Sequence, residues 1–219
     1  MSPTPMLLAR PMSVHSLFSP VLCVTEGVFD IACLTRLSQI VRTVEPDLPD
    51  LQELTAQGRM ILIPAGGGDL AAWTHRLAPL ICPQYYLFDR EQMPETALRQ
   101  SVVDQINERP YCRAVLTRKR SLENYLHPTA IAAASGIWVE ITDDTPVAEA
   151  VAQARPAWQA VWPTLTHRAR QRQIYRTKRL LNTEAVRHMT ADLLAERDPA
   201  GEVIGWFRDI GRLVSDSRP

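Results

Sequence analysis

The sequence predicts an α/β fold: a mainly parallel sheet of about four strands flanked by helices, with a helical C-terminal extension. Three observations carry this reading. Four short apolar runs, at 20–25, 60–64, 85–89 and 111–117, suit strands buried in a sheet. Segments of helical spacing lie between them with short connections, and such alternation argues for parallel strands with helices on both faces. After about residue 128 the alternation stops and helical spacing takes over.

The 219 residues are enough for one domain, or one domain plus a small appendage. Residues 1–19 hold Pro3, Pro5 and Pro11 and no continuous apolar run, so they read as an N-terminal arm. Neither a signal peptide nor a membrane span is visible. "PVLCVT" at 20–25 is the first strand. Val28, Ile31, Leu34, Leu37 and Val41 then recur at helical spacing. "EPDLPD" at 45–50 breaks that helix, and "MILIP" at 60–64 is the second strand. "AGGGD" at 65–69 reads as a tight turn, and "LAAWTHRLAPL" as a helix ending near Pro79. "YYLFD" at 85–89 is the third strand. Residues 94–109 form a helix with Pro94 in its first turn, and "YCRAVLT" is the fourth strand. The α/β domain is therefore placed at 20–130 and the helical extension at 131–219. Within the extension, "IWVEIT" at 137–142 is a candidate extra strand. Helices are expected over about 145–175, 183–197 and 200–214, the first announced by the acids and early proline of "DDTPVAEAV".

Hydrophobic content is 46% and charged content 22%, ordinary for a soluble globular chain. Twenty-four basic residues balance 24 acidic ones, which excludes a whole-chain basic footprint for nucleic acid. The charge is uneven, however. "TRKR" at 117–120 and "HRARQRQIYRTKR" at 167–179 are basic clusters. Arg118, Lys119, Arg120, Arg168, Arg170 and Arg172 are the candidates for phosphate contact, with a solvated helix face as the plain alternative. Cys23, Cys33, Cys82 and Cys112 show no CxxC pair and no zinc spacing, so they read as reduced cysteines of a cytoplasmic protein. Trp138, Trp158, Trp162 and Trp206 read as packing for the extension rather than as base-stacking groups.

In open parallel sheets, ligands sit beyond the carboxyl ends of the strands. Glu26 follows the first strand and Asp89 the third. Asp30 lies one helical turn beyond Glu26. Glu91 is two residues past Asp89, so an extended "DRE" would point both carboxylates the same way. Glu123 follows the fourth strand. Together these five acids form a candidate site for Mg²⁺ or Mn²⁺, hard cations that prefer oxygen. Taken singly, each acid could instead cap a helix. "AGGGD" is not a phosphate-binding P-loop, since no Gly-Lys-Ser/Thr follows. It reads either as a turn or as a close backbone approach to a DNA phosphate or to the metal site. His75, His127 and His167 read as surface or boundary residues.

"VLCVTEG" with "FD", and later "YYLFDRE", resembles the two signature motifs of the TOPRIM domain, with Glu91 standing where an aspartate is usual. "EGVFD" together with "RKRSLENYLHPTAI" is more narrowly similar to the C-terminal nuclease half of OLD-family (overcoming lysogenization defect) proteins. That resemblance covers about residues 20–130, and more loosely "YRTKRLLN" and "DPAGEVIGWFRDI". It implies a two-metal phosphodiesterase that cleaves DNA, with RNA as the alternative. Glu26 and Asp89 would be catalytic, and Glu26, Asp30, Asp89, Glu91 and Glu123 would hold Mg²⁺ or Mn²⁺. Lys178 in "TKRLL" would be the late lysine of the site, with Thr177 where glycine is common. Full OLD proteins carry an ABC-type ATPase, which this chain lacks, so the resemblance also implies a stand-alone nuclease or one with a separate ATPase, as in antiphage systems. A homo-oligomer is a further candidate assembly. A catalytically silent TOPRIM module that binds nucleic acid or an ATPase is the competing reading. A phosphotransfer receiver, which also gathers acids at strand ends, fits "LENYL" poorly.

Overall fold

The computed structural model describes residues 19–66 and 70–216. The N-terminal arm through residue 18 and the turn residues 67–69 lie outside the described residues. Four strands form one all-parallel sheet: β1 (Val21–Thr25), β2 (Met60–Pro64), β3 (Gln84–Phe88) and β4 (Cys112–Leu116), in the order β2-β1-β3-β4. The central strands β1 and β3 are buried throughout, whereas the edge strands β2 and β4 are partly exposed. Burial on both faces is why the central strands read as unbroken apolar runs. The register sets Val24 beside Tyr86, so Glu26 and Asp89 leave the sheet at the same edge.

Side chains alternate between two cores, as a period of two requires. Val21, Cys23, Tyr85 and Leu87 face one side and pack with α1 (Val28–Arg42), α2 (Leu51–Ala56) and the extension. Leu22, Val24, Tyr86 and Phe88 face the other, against α3 (Leu70–Leu77) and α4 (Glu95–Asn107). The chain thus leaves β1 towards one face and β3 towards the other. The gap between those two strand ends is a topological switch point, where open α/β sheets bind ligands.

A 3-10 turn, Leu122–Tyr125, follows β4 and leads to α5 (Pro128–Ser135). Then come α6 (Val147–Ala154), α7 (Pro156–Gln159), α8 (His167–Thr183), α9 (Ala191–Arg197) and α10 (Glu202–Asp216). The single helix expected over 145–175 is divided. Pro156 and Pro163 lack the N–H that a continuing helix needs, and α8 starts afresh where the Thr166 hydroxyl accepts from the Ala169 N–H at 3.3 Å. It then runs eight residues past the expected end. Residues 137–142 form no strand. Their carbonyls are taken by side chains instead: Ile141 accepts from Arg197 at 3.3 Å and Thr142 from Asn124 at 2.9 Å. Helix α2 was not expected.

The extension shares its core with the sheet. Leu181, Trp206, Phe207 and Ile210 pack in the same cluster as Leu34, Leu37 and Tyr85. Trp206 meets Tyr125 edge-on, with ring centroids 4.9 Å apart, and Trp162 is buried too. All four cysteines are free thiols. Among the described residues, no helix is long and apolar enough to cross a membrane.

Candidate metal centre

The site begins where β1 ends. Glu26 accepts the Asp89 N–H through Oε1 at 2.7 Å, a bond that ties the ends of β1 and β3 together. The Arg99 guanidinium, from α4, also reaches Glu26 Oε1, and donates to the Asp89 carbonyl at 2.6 Å. Gly27 opens α1, and its N–H donates to Asp30 Oδ2 at 2.8 Å. A Cβ at Gly27 would lie 3.3 Å from that same oxygen, so glycine leaves the carboxylate its space. Asp30 is therefore both a helix cap and a site residue, because its other oxygen points onward.

That other oxygen, Asp30 Oδ1, lies 3.4 Å from Lys178 Nζ. The same ammonium lies 3.5 Å from Glu123 Oε1 and 3.7 Å from Asp89 Oδ2. Asp89 Oδ1 accepts the Leu122 N–H at 2.9 Å, which locks the 3-10 turn over β3. Within that turn, Asn124 rather than Glu123 supplies the cap, its Oδ1 accepting from the Ser121 N–H at 3.1 Å. Glu123 is thus left to face inward. One turn past Lys178 on α8, Asn182 donates through Nδ2 to Glu123 at 2.8 Å and to Asp30 at 3.1 Å. Its Oδ1 is buried with no hydrogen-bond partner among the described residues.

The electrostatics follow from burial. Asp30, Asp89 and Glu123 are almost wholly buried. Burial raises the Asp89 carboxyl well above its usual range; Lys178 opposes this, while Glu26, Glu123 and Asp30 add to it. Burial likewise raises Asp30 against the pull of Lys178, and Glu26 against that of Arg99. Burial alone would lower Lys178, but the four carboxylates outweigh it and hold the ammonium protonated. Glu26, Asp30, Asp89 and Glu123, when ionised, carry four negative charges against the two positive charges of Arg99 and Lys178.

The structure brings Glu26, Asp30, Asp89, Glu123 and Lys178 together, and leaves Glu91 outside. Glu91 has φ +56°, so the chain turns instead of continuing extended. Its N–H donates to the Arg120 carbonyl at 2.9 Å, and its carboxylate lies 3.5 Å from Arg120 Nε. The "TRKR" cluster is largely spent internally. Arg120 also donates to the Asp144 carbonyl, and Lys119 is buried, paired with Asp143 and set over the Tyr125 ring. Arg118 stays exposed. Arg168 and Arg172 are exposed on α8, and Arg170 folds back to the Pro163 carbonyl at 2.8 Å. His127 caps α5, Nδ1 accepting from the Thr129 N–H at 3.1 Å.

Two site residues escaped the sequence reading. Asn182 had a signal, the four-residue spacing from Lys178 that puts both on one side of a helix. Arg99 had none, since the reach of a long side chain across a helix–strand junction has no period.

Whether these residues fit a divalent ion turns on their donor set. The groups are oxygens, their charge exceeds that of the local cations by two, and the Asn182 oxygen is unpaired. Each suits a hard cation such as Mg²⁺ or Mn²⁺. Against this, no three His, Cys, Asp or Glu side chains among the described residues stand as a ready ligand set. The carboxylates are spread around the Lys178 ammonium, which is the cation at their centre. Comparison of the chain with protein-family models, with curated proteins and with solved structures finds no match.

Proposed function

We propose that the chain is a divalent-metal-dependent phosphodiesterase acting on nucleic acid, DNA first. The observation that carries this is the convergence of Glu26, Asp30, Asp89 and Glu123, from three strand ends and a helix, around Lys178 at the switch point of a parallel sheet. Asp30, Asp89 and Glu123 would hold Mg²⁺ or Mn²⁺, with Glu26 beside them. A bound divalent ion supplies charge stabilisation for in-line displacement at phosphorus. Lys178 would be the donor of the site: its side chain is partly exposed, and its ammonium would turn from the carboxylates to a phosphate oxygen when a metal ion takes over their charge. Arg99 holds Glu26 in place, and Asn182 holds Asp30 and Glu123 at a fixed separation. The exposed arginines of α8 attract the phosphate backbone. The resemblance to TOPRIM and OLD nucleases supports the same reading and adds a separate ATPase as a candidate partner.

The silent-module reading is favoured by two observations, the seating of Lys178 where a catalytic cation belongs and the turning away of Glu91. One experiment separates the two. Purified protein is incubated with supercoiled plasmid in Mg²⁺, in Mn²⁺ and in EDTA, beside Asp89→Ala. The expected result is metal-dependent nicking by wild type, stronger in Mn²⁺ and absent from the variant. Equal nicking by both proteins, or none with either metal, replaces the enzyme reading with the silent one.

A further inference from the structure

Most arginines outside α8 are already partnered. Arg42 pairs with Asp50, Arg113 with Asp209 and Arg208 with Glu45. Arg155, Arg168, Arg172, Arg176 and Arg179 form no ion pair among the described residues. Three of them, Arg155, Arg176 and Arg179, line one cleft of about 640 Å³ together with Tyr175. Its only acid, Glu184, is 3.4 Å from Arg187. The Arg155 Nε is buried there with no hydrogen-bond partner.

Tyr175 is the unusual member. The residue is 60% exposed, yet its ring meets that of Phe29, with centroids 5.2 Å apart and a tilt of 58°. Phe29 directly precedes Asp30, and Tyr175 lies one turn before Lys178 on α8. Around the axis of α8, the helical period sets Tyr175 between Lys178 and the arginines Arg168, Arg172 and Arg179. Arg168, Arg172, Tyr175 and Arg179 recur at helical spacing, so they run as a stripe along one face of α8. An exposed, propped aromatic ring beside unpaired guanidiniums matches the two needs of an unpaired strand: a stacking surface for bases and cations for the backbone. A duplex satisfies only the second, since its base faces are already stacked.

We infer that this cleft seats an unpaired nucleic-acid strand, one base stacked on Tyr175 and its phosphates on Arg155, Arg176 and Arg179, and leads it to the carboxylate centre. This rests on the phosphodiesterase reading for its purpose, but not for its test. Binding of a fluorescein-labelled oligonucleotide is followed by anisotropy in EDTA, where cleavage plays no part. The probes are single-stranded DNA, single-stranded RNA and duplex DNA of one sequence. The single strands should bind more tightly than the duplex, and the stronger of them names the sugar. Tyr175→Ala should weaken single-strand binding about tenfold, as loss of one stacked base does, and Tyr175→Phe should restore it. Arg176→Ala with Arg179→Ala should flatten the log–log salt dependence by about 1.4, at roughly 0.7 per lost phosphate contact. A 2-aminopurine base in the strand should be quenched by wild type and not by Tyr175→Ala. Duplex binding as tight as single-strand binding, or a Tyr175→Ala variant that binds like wild type, overturns the inference. Nicking that survives with Tyr175-independent binding overturns the seat alone. Tyr175-dependent binding, with no cleavage of the bound single strand when Mg²⁺ or Mn²⁺ is added, overturns the catalytic reading and keeps the seat.

Discussion

Asp89 sits buried beside an ammonium, yet its proton is held more tightly in the folded chain than in the unfolded one. Linkage gives the sign. An acid whose folded pKa is raised contributes stability when protonated, and that contribution fades as pH rises from the ordinary carboxylate range through the raised value. Asp30 and Glu26 act in the same direction. Lys178 acts in the opposite sense: its raised pKa stabilises the fold fully below its ordinary value of 10.5 and is lost only above that. At neutral pH and without metal, the carboxylates therefore weigh against the fold and the lysine supports it. Asp89→Asn should raise Tm at neutral pH by about 2–4 °C for each 1 kcal/mol recovered, and should flatten the fall in stability from weakly acidic to neutral pH. Lys178→Met should lower Tm, since a buried carboxylate stripped of its partner costs about 3–5 kcal/mol. Thermal melts of both variants in EDTA check this. Shifts of the same sign would contradict the assigned electrostatics.

At the scale of elements, α8 clamps the site by reaching two others through one amide: Asn182 binds Asp30 on α1 and Glu123 in the 3-10 turn. Hydrogen bonds to charged groups contribute about 1.5–3 kcal/mol each, so Asn182→Ala should destabilise by at least about 2 kcal/mol in urea melts. Asn182→Asp should be worse in EDTA, because it adds a fifth carboxylate, and should regain stability in Mn²⁺ if the cluster takes the ion. An aspartate variant as stable as wild type in EDTA would refute the clamp. Part of this clamp was legible in the sequence. Two strand ends were, because the first and third apolar runs stop at Glu26 and Asp89, and a parallel sheet sends those ends to one edge. Asp30 was, by its four-residue step from Glu26. Glu91 was misplaced because nothing in the "DRE" pattern encodes a positive φ. The burial of Lys119 was not legible because a basic run looks solvated until the tertiary fold lays an aromatic ring and an aspartate against it. Helix α2 was missed although Asp50 caps it, accepting from Gln52 and Glu53, since three acids and two prolines in "EPDLPD" mask a start signal as a break.

For the whole molecule, the boundary near residue 130 separates patterns of sequence rather than units of stability. Leu181, Trp206, Phe207 and Ile210 fill the same core as the sheet face and α1, and losing even one buried Trp or Phe costs about 3–5 kcal/mol, against a total stability of about 5–15 kcal/mol for a typical domain. A chain ending at residue 166 should therefore lose cooperative unfolding, seen as a broad urea transition and as binding of a hydrophobic dye. A sharp transition in the shortened chain would show the first part to be self-sufficient. The order of the site along the chain has a temporal meaning as well. Synthesis runs from the amino end, so Glu26, Asp30, Asp89 and Glu123 are all made before Lys178 and Asn182. A nascent chain can form its strands early but has only Arg99 to offset the acids until α8 emerges. Emergence of α8 is thus built into the centre itself, and a copy cut short before it carries the acids without the lysine.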